Sequence, residues 1–206
     1  MKLIKFTAAA ILAASSITAH AGLLKIDGGT DVTIPSNNDF RGYVGTTQYN
    51  FGGNLQANQT GELTLTFNFL AEEAGAVNTF TSGGSSINNT TQKAPFTYTG
   101  NYADGSLIDF GFSTDRLSAA FNTVLNGSNV IGEGVVSFAI ALNTTYKGVA
   151  YDAILFFDDV GGINDDDNHD DLLIGVKAVQ VPESSAFILM MLGIAGLVGA
   201  RRRKLN

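Results

Sequence analysis

Seven aspartates lie within the 14 residues from Asp158 to Asp171, and an apolar stretch stands on either side of this segment. Carboxylates this close together repel one another, which costs stability unless cations neutralise part of the charge. Ca²⁺ binds roughly six to eight oxygens from carboxylates, amides and backbone carbonyls in flexible geometry. The residue types therefore predict a calcium site. The alternative is a solvated acidic hairpin that binds no particular ion.

The candidate ligands come from two places: Asp165, Asp166, Asn168, Asp170 and Asp171 in the acidic segment, and Glu73 and Asn78 in an earlier turn. Alternate positions of an extended loop can converge on one ion, although the spacing does not match an EF-hand loop. Glu73 and Asn78 follow a candidate strand, where they could complete the same oxygen cage. The other interpretation is that Glu73 is a surface carboxylate and Asn78 caps its own turn.

The chain offers few residues for other kinds of catalytic or metal chemistry. The chain has no cysteine, and its histidines are His20 and His169, so thiol catalysis and a zinc site with several histidines are excluded after residue 21. Calcium prefers oxygen, so we expect His169 to be a loop residue and not a ligand. A Ser-His-Asp hydrolase would have to use His169, and there is no Gly-x-Ser-x-Gly elbow. No carboxylate pair stands out as that of a glycosidase. The sequence predicts no enzyme.

The central region is strongly acidic. Glu183 and six basic residues lie outside residues 22–180, which leaves 18 acidic and 6 basic residues and a net charge of −12 in that region. A nucleic-acid-binding domain needs basic residues to contact phosphates, so nucleic acid is not an expected partner. This charge favours cations as partners.

The elements that position these residues are expected to be strands. Leu63, Leu65, Phe67 and Phe69 alternate with polar residues and so occupy one face of a strand. Similar short apolar stretches begin at Phe96 and cover 107–112, 136–142, 153–157 and 172–178. Turns rich in Gly, Asn and Thr separate them, which indicates an all-β fold, an antiparallel β-sandwich of jelly-roll-like type. Residues Ser82–Thr91 are expected to form a mobile loop.

The N-terminus, residues 1–21, has the pattern of a secretory signal peptide. Lys2 and Lys5 precede an apolar stretch of small residues, and Ala19-His20-Ala21 fits the A-x-A cleavage pattern. The mature domain is therefore expected to begin near Gly22 and to occupy residues 22–180. An uncleaved N-terminal membrane anchor is the alternative.

The C-terminus, residues 181–206, combines a short motif at 181–184, an apolar stretch at 184–200 and a basic tail at 201–204. The apolar stretch would be about 26 Å long as a helix, near the lower limit for spanning a membrane. Arg201, Arg202 and Arg203 would remain cytoplasmic by the positive-inside rule. We expect a single transmembrane helix that holds the exported domain at the inner membrane. A plain tail anchor would have the same pattern.

These C-terminal elements resemble the PEP-CTERM sorting signal of Gram-negative bacteria. Val181, Pro182 and Glu183 match the family's Val-Pro-Glu-Pro, and Ser184 stands where the family usually has its second proline. The resemblance implies export through the Sec machinery and recognition by an exosortase-type sorting enzyme. It further implies that the helix is removed and that the domain is released or attached at the cell surface, often beside exopolysaccharide genes.

Two motifs in the central region are similar to those of secreted PEP-CTERM β-domains. Residues 166–172 stand where those domains carry Asp-x-Asp-Tyr-x-Asp-Leu, and 73–78 match Glu-Ala-Gly-x-x-Asn. We therefore expect a non-catalytic cell-surface or extracellular-matrix protein that Ca²⁺ stabilises. The alternative is a carbohydrate-binding module for exopolysaccharide, which would use exposed aromatics from the set Tyr43, Tyr49, Tyr98, Tyr102 and Tyr146.

Overall fold

The computed structural model describes residues 22–116, 122–129, 135–161, 168–182 and 190–194. Eleven strands account for most of them: β1 Leu24–Thr33, β2 Gln48–Ala57, β3 Gly61–Ala71, β4 Asn78–Ser82, β5 Ser85–Asn88, β6 Phe96–Tyr102, β7 Gly111–Thr114, β8 Thr123–Leu125, β9 Val135–Tyr146, β10 Val149–Gly161 and β11 Leu172–Gln180. The predicted all-β character is confirmed.

The strands form two antiparallel sheets in a sandwich-like arrangement. The larger sheet has the order β1-β2-β9-β10-β11-β3-β6, and the smaller has the order β5-β4-β7-β8. Every pairing between named strands is antiparallel. Strands β9, β10 and β11 occupy the middle of the larger sheet, and the acidic segment lies between β10 and β11 along the chain.

The main core consists of apolar residues that alternate along strands of both sheets. Leu63, Leu65 and Phe67 of β3 are fully buried in it, as their alternation predicts. The rings of Phe112 and Phe157 stack with centroids 4.8 Å apart and join β7 of the smaller sheet to β10 of the larger one. A dense aromatic cluster therefore holds the two sheets together.

The opposite face of the larger sheet has a second core under residues 34–47, which we name the strap. The strap contains the 3₁₀ turn Arg41–Tyr43 and buries Ile34 completely. Beneath it lie small residues of β9, Ala139 and Ala141, beside Ile154 and Phe156 of β10. Strand β10 is apolar on both faces because the main core covers one face and the strap covers the other.

Two sequence expectations about local structure are wrong. Most of Ser82–Thr91 belongs to the β4–β5 hairpin, whose turn places Gly83 and Gly84 at φ +55° and +80°. Their freedom to adopt positive φ favours a tight hairpin turn over a mobile loop. Of the predicted strand 107–112, only 111 and 112 belong to a strand, β7.

The two ends of the sandwich differ. Gly22 and Gln180 line one cavity of about 630 Å³, so both borders of the predicted mature domain lie at one end. Strand β11 spans nine residues between the acidic segment and this end, a length of about 30 Å. Residues 190–194 are helical, and no described helix has the length and apolar character needed to cross a membrane. The leader 1–21 and most of the predicted tail lie outside the described residues.

Candidate metal centre

The strand register brings the polar residues together at one end of the larger sheet. Phe157 of β10 pairs with Leu172 of β11, so the residues that follow Phe157 face those that precede Leu172. Leu173 in turn pairs with Ala71, the last residue of β3, which places the turn after β3 at the same end. We name this part of the molecule the acidic end.

Three carboxylates converge at the acidic end, from Asp39, Glu73 and Asp170. Their ligand atoms lie within 4.8 Å of one another. Asp170 is 1 % exposed, whereas Asp39 and Glu73 are open to solvent. Oxygens at this separation could bind one Ca²⁺ ion together and leave its outer side to water. The structure thus brings two of the sequence-predicted ligands, Glu73 and Asp170, to one place.

Asp39 is the residue that the sequence analysis missed. It lies on the strap, 131 residues before Asp170, and the backbone N–H of Asp39 donates to Oδ2 of Asp170 at 2.8 Å. The only sequence signal was the polar run Ser36-Asn37-Asn38-Asp39, which has the composition of an ordinary turn. Its role depends on the position of the strap, which periodicity does not predict.

Asn168 fastens the strap to the acidic segment. Its backbone carbonyl accepts from Nδ2 of Asn38 at 2.7 Å, and its side-chain Nδ2 donates to the carbonyl of Asn37 at 3.2 Å. Asn38 Oδ1 accepts from the N–H of Phe40 at 3.0 Å. Asn38 and Asn168 are both buried, so these bonds fix the backbone on either side of the carboxylate cluster.

Asn78 and Asp171 contact a different residue, Asp159: Asn78 bonds to its carboxylate and Asp171 to its backbone. Asp159 is fully buried, and its oxygens accept from Arg116 Nη1 at 2.6 Å and from Asn78 Nδ2 at 3.0 Å. The N–H of Asp159 donates to Asp171 Oδ2 at 2.7 Å. Among the described residues, Oδ1 of Asn78 has no hydrogen-bond partner although it is buried. The predicted ligands therefore divide between two neighbouring polar groups.

His169 is a loop residue, but it is buried and not solvated. Its Nε2 lies 3.0 Å from Ser137 Oγ, and its Nδ1 lies 3.6 Å from Asp158 Oδ2. Rings of Tyr49 and Phe51 pack against the imidazole. This order of groups is that of a Ser-His-Asp triad, but Ser137 is only 3 % exposed. A substrate would have to displace the surrounding residues to reach the hydroxyl.

Of the remaining predicted positions, the structure describes Val181 and Pro182 and does not describe the others. Val181 continues the sheet, since its N–H donates to the carbonyl of Glu62 at 2.9 Å, and Pro182 follows it. Asp165 and Asp166 lie outside the described residues, as do Glu183 and the three arginines Arg201, Arg202 and Arg203.

Comparison of the chain with protein-family models, with curated proteins and with solved structures gave no match.

Proposed function

We propose that this protein is an exported, non-catalytic cell-surface or extracellular-matrix protein whose β-domain binds Ca²⁺ at the acidic end. The observation that carries the calcium part is the convergence of Asp39, Glu73 and Asp170 within 4.8 Å. These residues come from three segments far apart in sequence. One cation bound among them would connect the strap, the turn after β3 and the loop before β11.

Electrostatics favours a cation at this place. Like charges this close raise the free energy of the folded state, and a divalent ion removes that cost. The domain carries a net charge of −12, so few of its own cations are available for neutralisation. Asp170 is buried and receives a backbone N–H from the strap, which holds one ligand in place before an ion arrives.

Calcium titration of the full chain tests the metal part of the proposal. Wild type should bind Ca²⁺ in preference to Mg²⁺, because Ca²⁺ accepts irregular oxygen geometry whereas Mg²⁺ requires near-ideal octahedral coordination. Glu73→Gln should weaken binding at least tenfold. A Ca²⁺ affinity that Glu73→Gln leaves unchanged would contradict this site.

Sorting is the second part of the proposal. The leader 1–21, the Val181-Pro182-Glu183 motif, the apolar stretch 184–200 and the basic tail support export by Sec and processing by an exosortase-type enzyme at the inner membrane. Gly22 and Pro182 share one end of the sandwich, which would place the acidic end about 30 Å from the membrane. We further propose a jelly-roll-like connection of the two sheets.

Cell fractionation with mass measurement tests sorting. In a host with an exosortase, the mature protein should lose residues after the motif and leave the inner membrane. A variant with Pro182→Ala and Glu183→Ala should stay in the membrane at its larger mass. Identical fractions and masses for both proteins would rule out processing at this motif, and the chain would then be a plain tail-anchored protein.

A carbohydrate-binding module for exopolysaccharide remains the alternative, and one observation favours it. Tyr43 is 52 % exposed on the strap, whereas Tyr49, Tyr102 and Tyr146 are buried and Tyr98 is partly buried. Of the five tyrosines considered, Tyr43 is therefore the best candidate for a sugar platform. Binding of the full chain to immobilised glycans, lost in Tyr43→Ala and retained in Tyr43→Phe, would support this function.

A further inference from the structure

The six basic residues of the domain fall into two groups. Three form ion pairs: Lys25 with Asp104 at 2.6 Å, Lys93 with Glu72 at 3.6 Å and Arg116 with Asp159 at 2.6 Å. The other three are Arg41, Lys147 and Lys177. Within the described ranges, none of these three has a carboxylate within 4.0 Å. Half of the domain's six basic residues are therefore without a carboxylate partner in the part of the chain that the structure describes.

The second group of basic residues shares the outer side of the larger sheet. Arg41 lies in the 3₁₀ turn of the strap. Lys147 lies in the β9–β10 turn, with Nζ 4.9 Å from the ring centroid of Tyr43. Lys177 of β11 is exposed, with Nζ 5.2 Å from the ring of Tyr151. We name Arg41, Tyr43, Lys147, Tyr151 and Lys177 the cationic face.

Backbone hydrogen bonds hold the part of the cationic face on the strap against the β9–β10 turn. Tyr151 lies two residues along β10 from Val149, which follows the turn that carries Lys147, a rise of about 7 Å. The N–H of Lys147 donates to the carbonyl of Tyr43 at 2.9 Å, and that of Gly45 donates to the carbonyl of Thr145 at 2.8 Å. The backbones of the strap and the turn are therefore joined, which reduces the ordering cost of binding.

A groove runs along the strap beside Arg41. Its volume is about 750 Å³, and its lining includes Arg41 and the polar side chains of Ser36, Asn38, Thr46 and Thr47. Hydroxyl and amide groups of this kind both donate and accept hydrogen bonds. The groove therefore matches a ligand rich in hydroxyl groups better than an apolar ligand.

We propose that the cationic face binds an acidic polysaccharide whose sugars carry carboxylates. Arg41 can bind a carboxylate through two parallel hydrogen bonds, and Lys147 and Lys177 offer point charges for further sugars of the same chain. The exposed ring of Tyr43 offers an apolar surface for a sugar ring. The inference rests on the carbohydrate-binding alternative and does not require calcium binding.

Titration of the full chain with galacturonate hexamers tests the proposal, with a neutral glucose hexamer as the comparison ligand. The uronate should bind and the neutral hexamer should bind at least tenfold more weakly. Arg41→Gln, Lys147→Gln and Tyr43→Ala should each weaken uronate binding by about tenfold, which corresponds to the loss of one strong contact. Lys25→Gln removes the same charge from an ion-paired residue of β1 and should change the affinity less than twofold.

Three results would overturn the proposal: no uronate binding, equal binding of both hexamers, or equal losses in Lys147→Gln and Lys25→Gln. Each titration is repeated in EDTA and with Glu73→Gln. Uronate binding that persists in both conditions assigns the ligand to the cationic face even if calcium binding fails. Uronate binding that requires Ca²⁺ and is lost in Glu73→Gln assigns the ligand to the acidic end and contradicts the cationic face.

Discussion

At the scale of the residue, hydrogen-bond donors from neighbouring side chains stabilise the buried carboxylate of Asp159 at the acidic end. Asp159 is fully buried, and its charge is compensated by Arg116 and by the amide of Asn78. A buried carboxylate without such partners would cost several kcal/mol. Asp104 contrasts with it, because its pair with Lys25 is exposed to solvent on both sides.

The pair of Arg116 with Asp159 should therefore be worth much more than the pair of Lys25 with Asp104. We expect Arg116→Met to lower the free energy of unfolding by about 3 kcal/mol, since it leaves a buried charge unpaired. Lys25→Met should cost less than about 1 kcal/mol. Urea unfolding measures both, and the double variant Arg116→Met/Asp159→Asn should recover most of the loss. Equal costs for the two single variants would contradict this account.

The raised pKa of Tyr102 predicts that the stability of the folded protein decreases at alkaline pH. Burial, with smaller effects from Tyr98 and Asp109, raises the pKa of Tyr102 from 10.0 to about 12. The unfolded chain therefore loses this proton near pH 10 while the folded protein retains it, so stability falls as pH rises from about 10 to 12. The expected loss from this group is about 2 kcal/mol.

Tyr102→Phe tests this dependence. The Tyr102 hydroxyl is buried, and none of the described residues hydrogen-bonds to it, so phenylalanine should not reduce stability at pH 7. Urea unfolding between pH 9 and pH 12 should show a shallower decline for this variant. Tyr43→Phe, at an exposed ring, is the control and should keep the wild-type decline. Identical declines in Tyr102→Phe and wild type would show that Tyr102 does not titrate as proposed.

At the scale of the element, strands were predictable and the strap was not. The alternation of β3 is a local property of the sequence, so Leu63, Leu65 and Phe67 were assigned correctly to the core. The strap has no periodic pattern, and it is positioned by contacts with β9, β10 and Asn168. Asp39 was not named as a candidate for this reason, whereas Asp170 was named from the density of aspartates and Glu73 from its place after a predicted strand.

The β4–β5 hairpin offers a test of its turn geometry. Gly83 and Gly84 both have positive φ, but a Cβ at Gly83 would lie 2.1 Å from Cδ2 of Tyr98, whereas a Cβ at Gly84 would contact nothing within 4 Å. Gly84→Ala should cost about 1 kcal/mol from backbone strain alone. Gly83→Ala should cost about 2 kcal/mol more because Tyr98 must move. Thermal unfolding compares the two, and equal costs would contradict the packing of Tyr98 on the turn.

At the scale of the whole molecule, the carboxylate cluster, the two borders of the domain and the basic residues of the cationic face lie in different parts of the fold. The acidic end lies at one end of the long strands, and the borders of the domain at residues 22 and 180 lie at the other. The basic residues without a described carboxylate partner occupy the outer side of the larger sheet. The two-sheet arrangement and the acidic segment were predictable from composition and alternation. The cationic face was not, since it combines residues of the strap, a turn and β11.

The measurement that tests the central claim most directly is thermal unfolding of the full chain in millimolar Ca²⁺ and in EDTA. A ligand that binds only the folded state adds RT ln(1 + [L]/Kd), about 2.7 kcal/mol at a hundredfold excess over Kd. We predict that Ca²⁺ raises the Tm of wild type by several degrees and that Asp39→Asn and Glu73→Gln each lose more than half of this increase. Asp27→Asn, at an exposed carboxylate of β1, should retain all of it. No increase in wild type, or the same increase in all four proteins, would contradict calcium binding by these carboxylates.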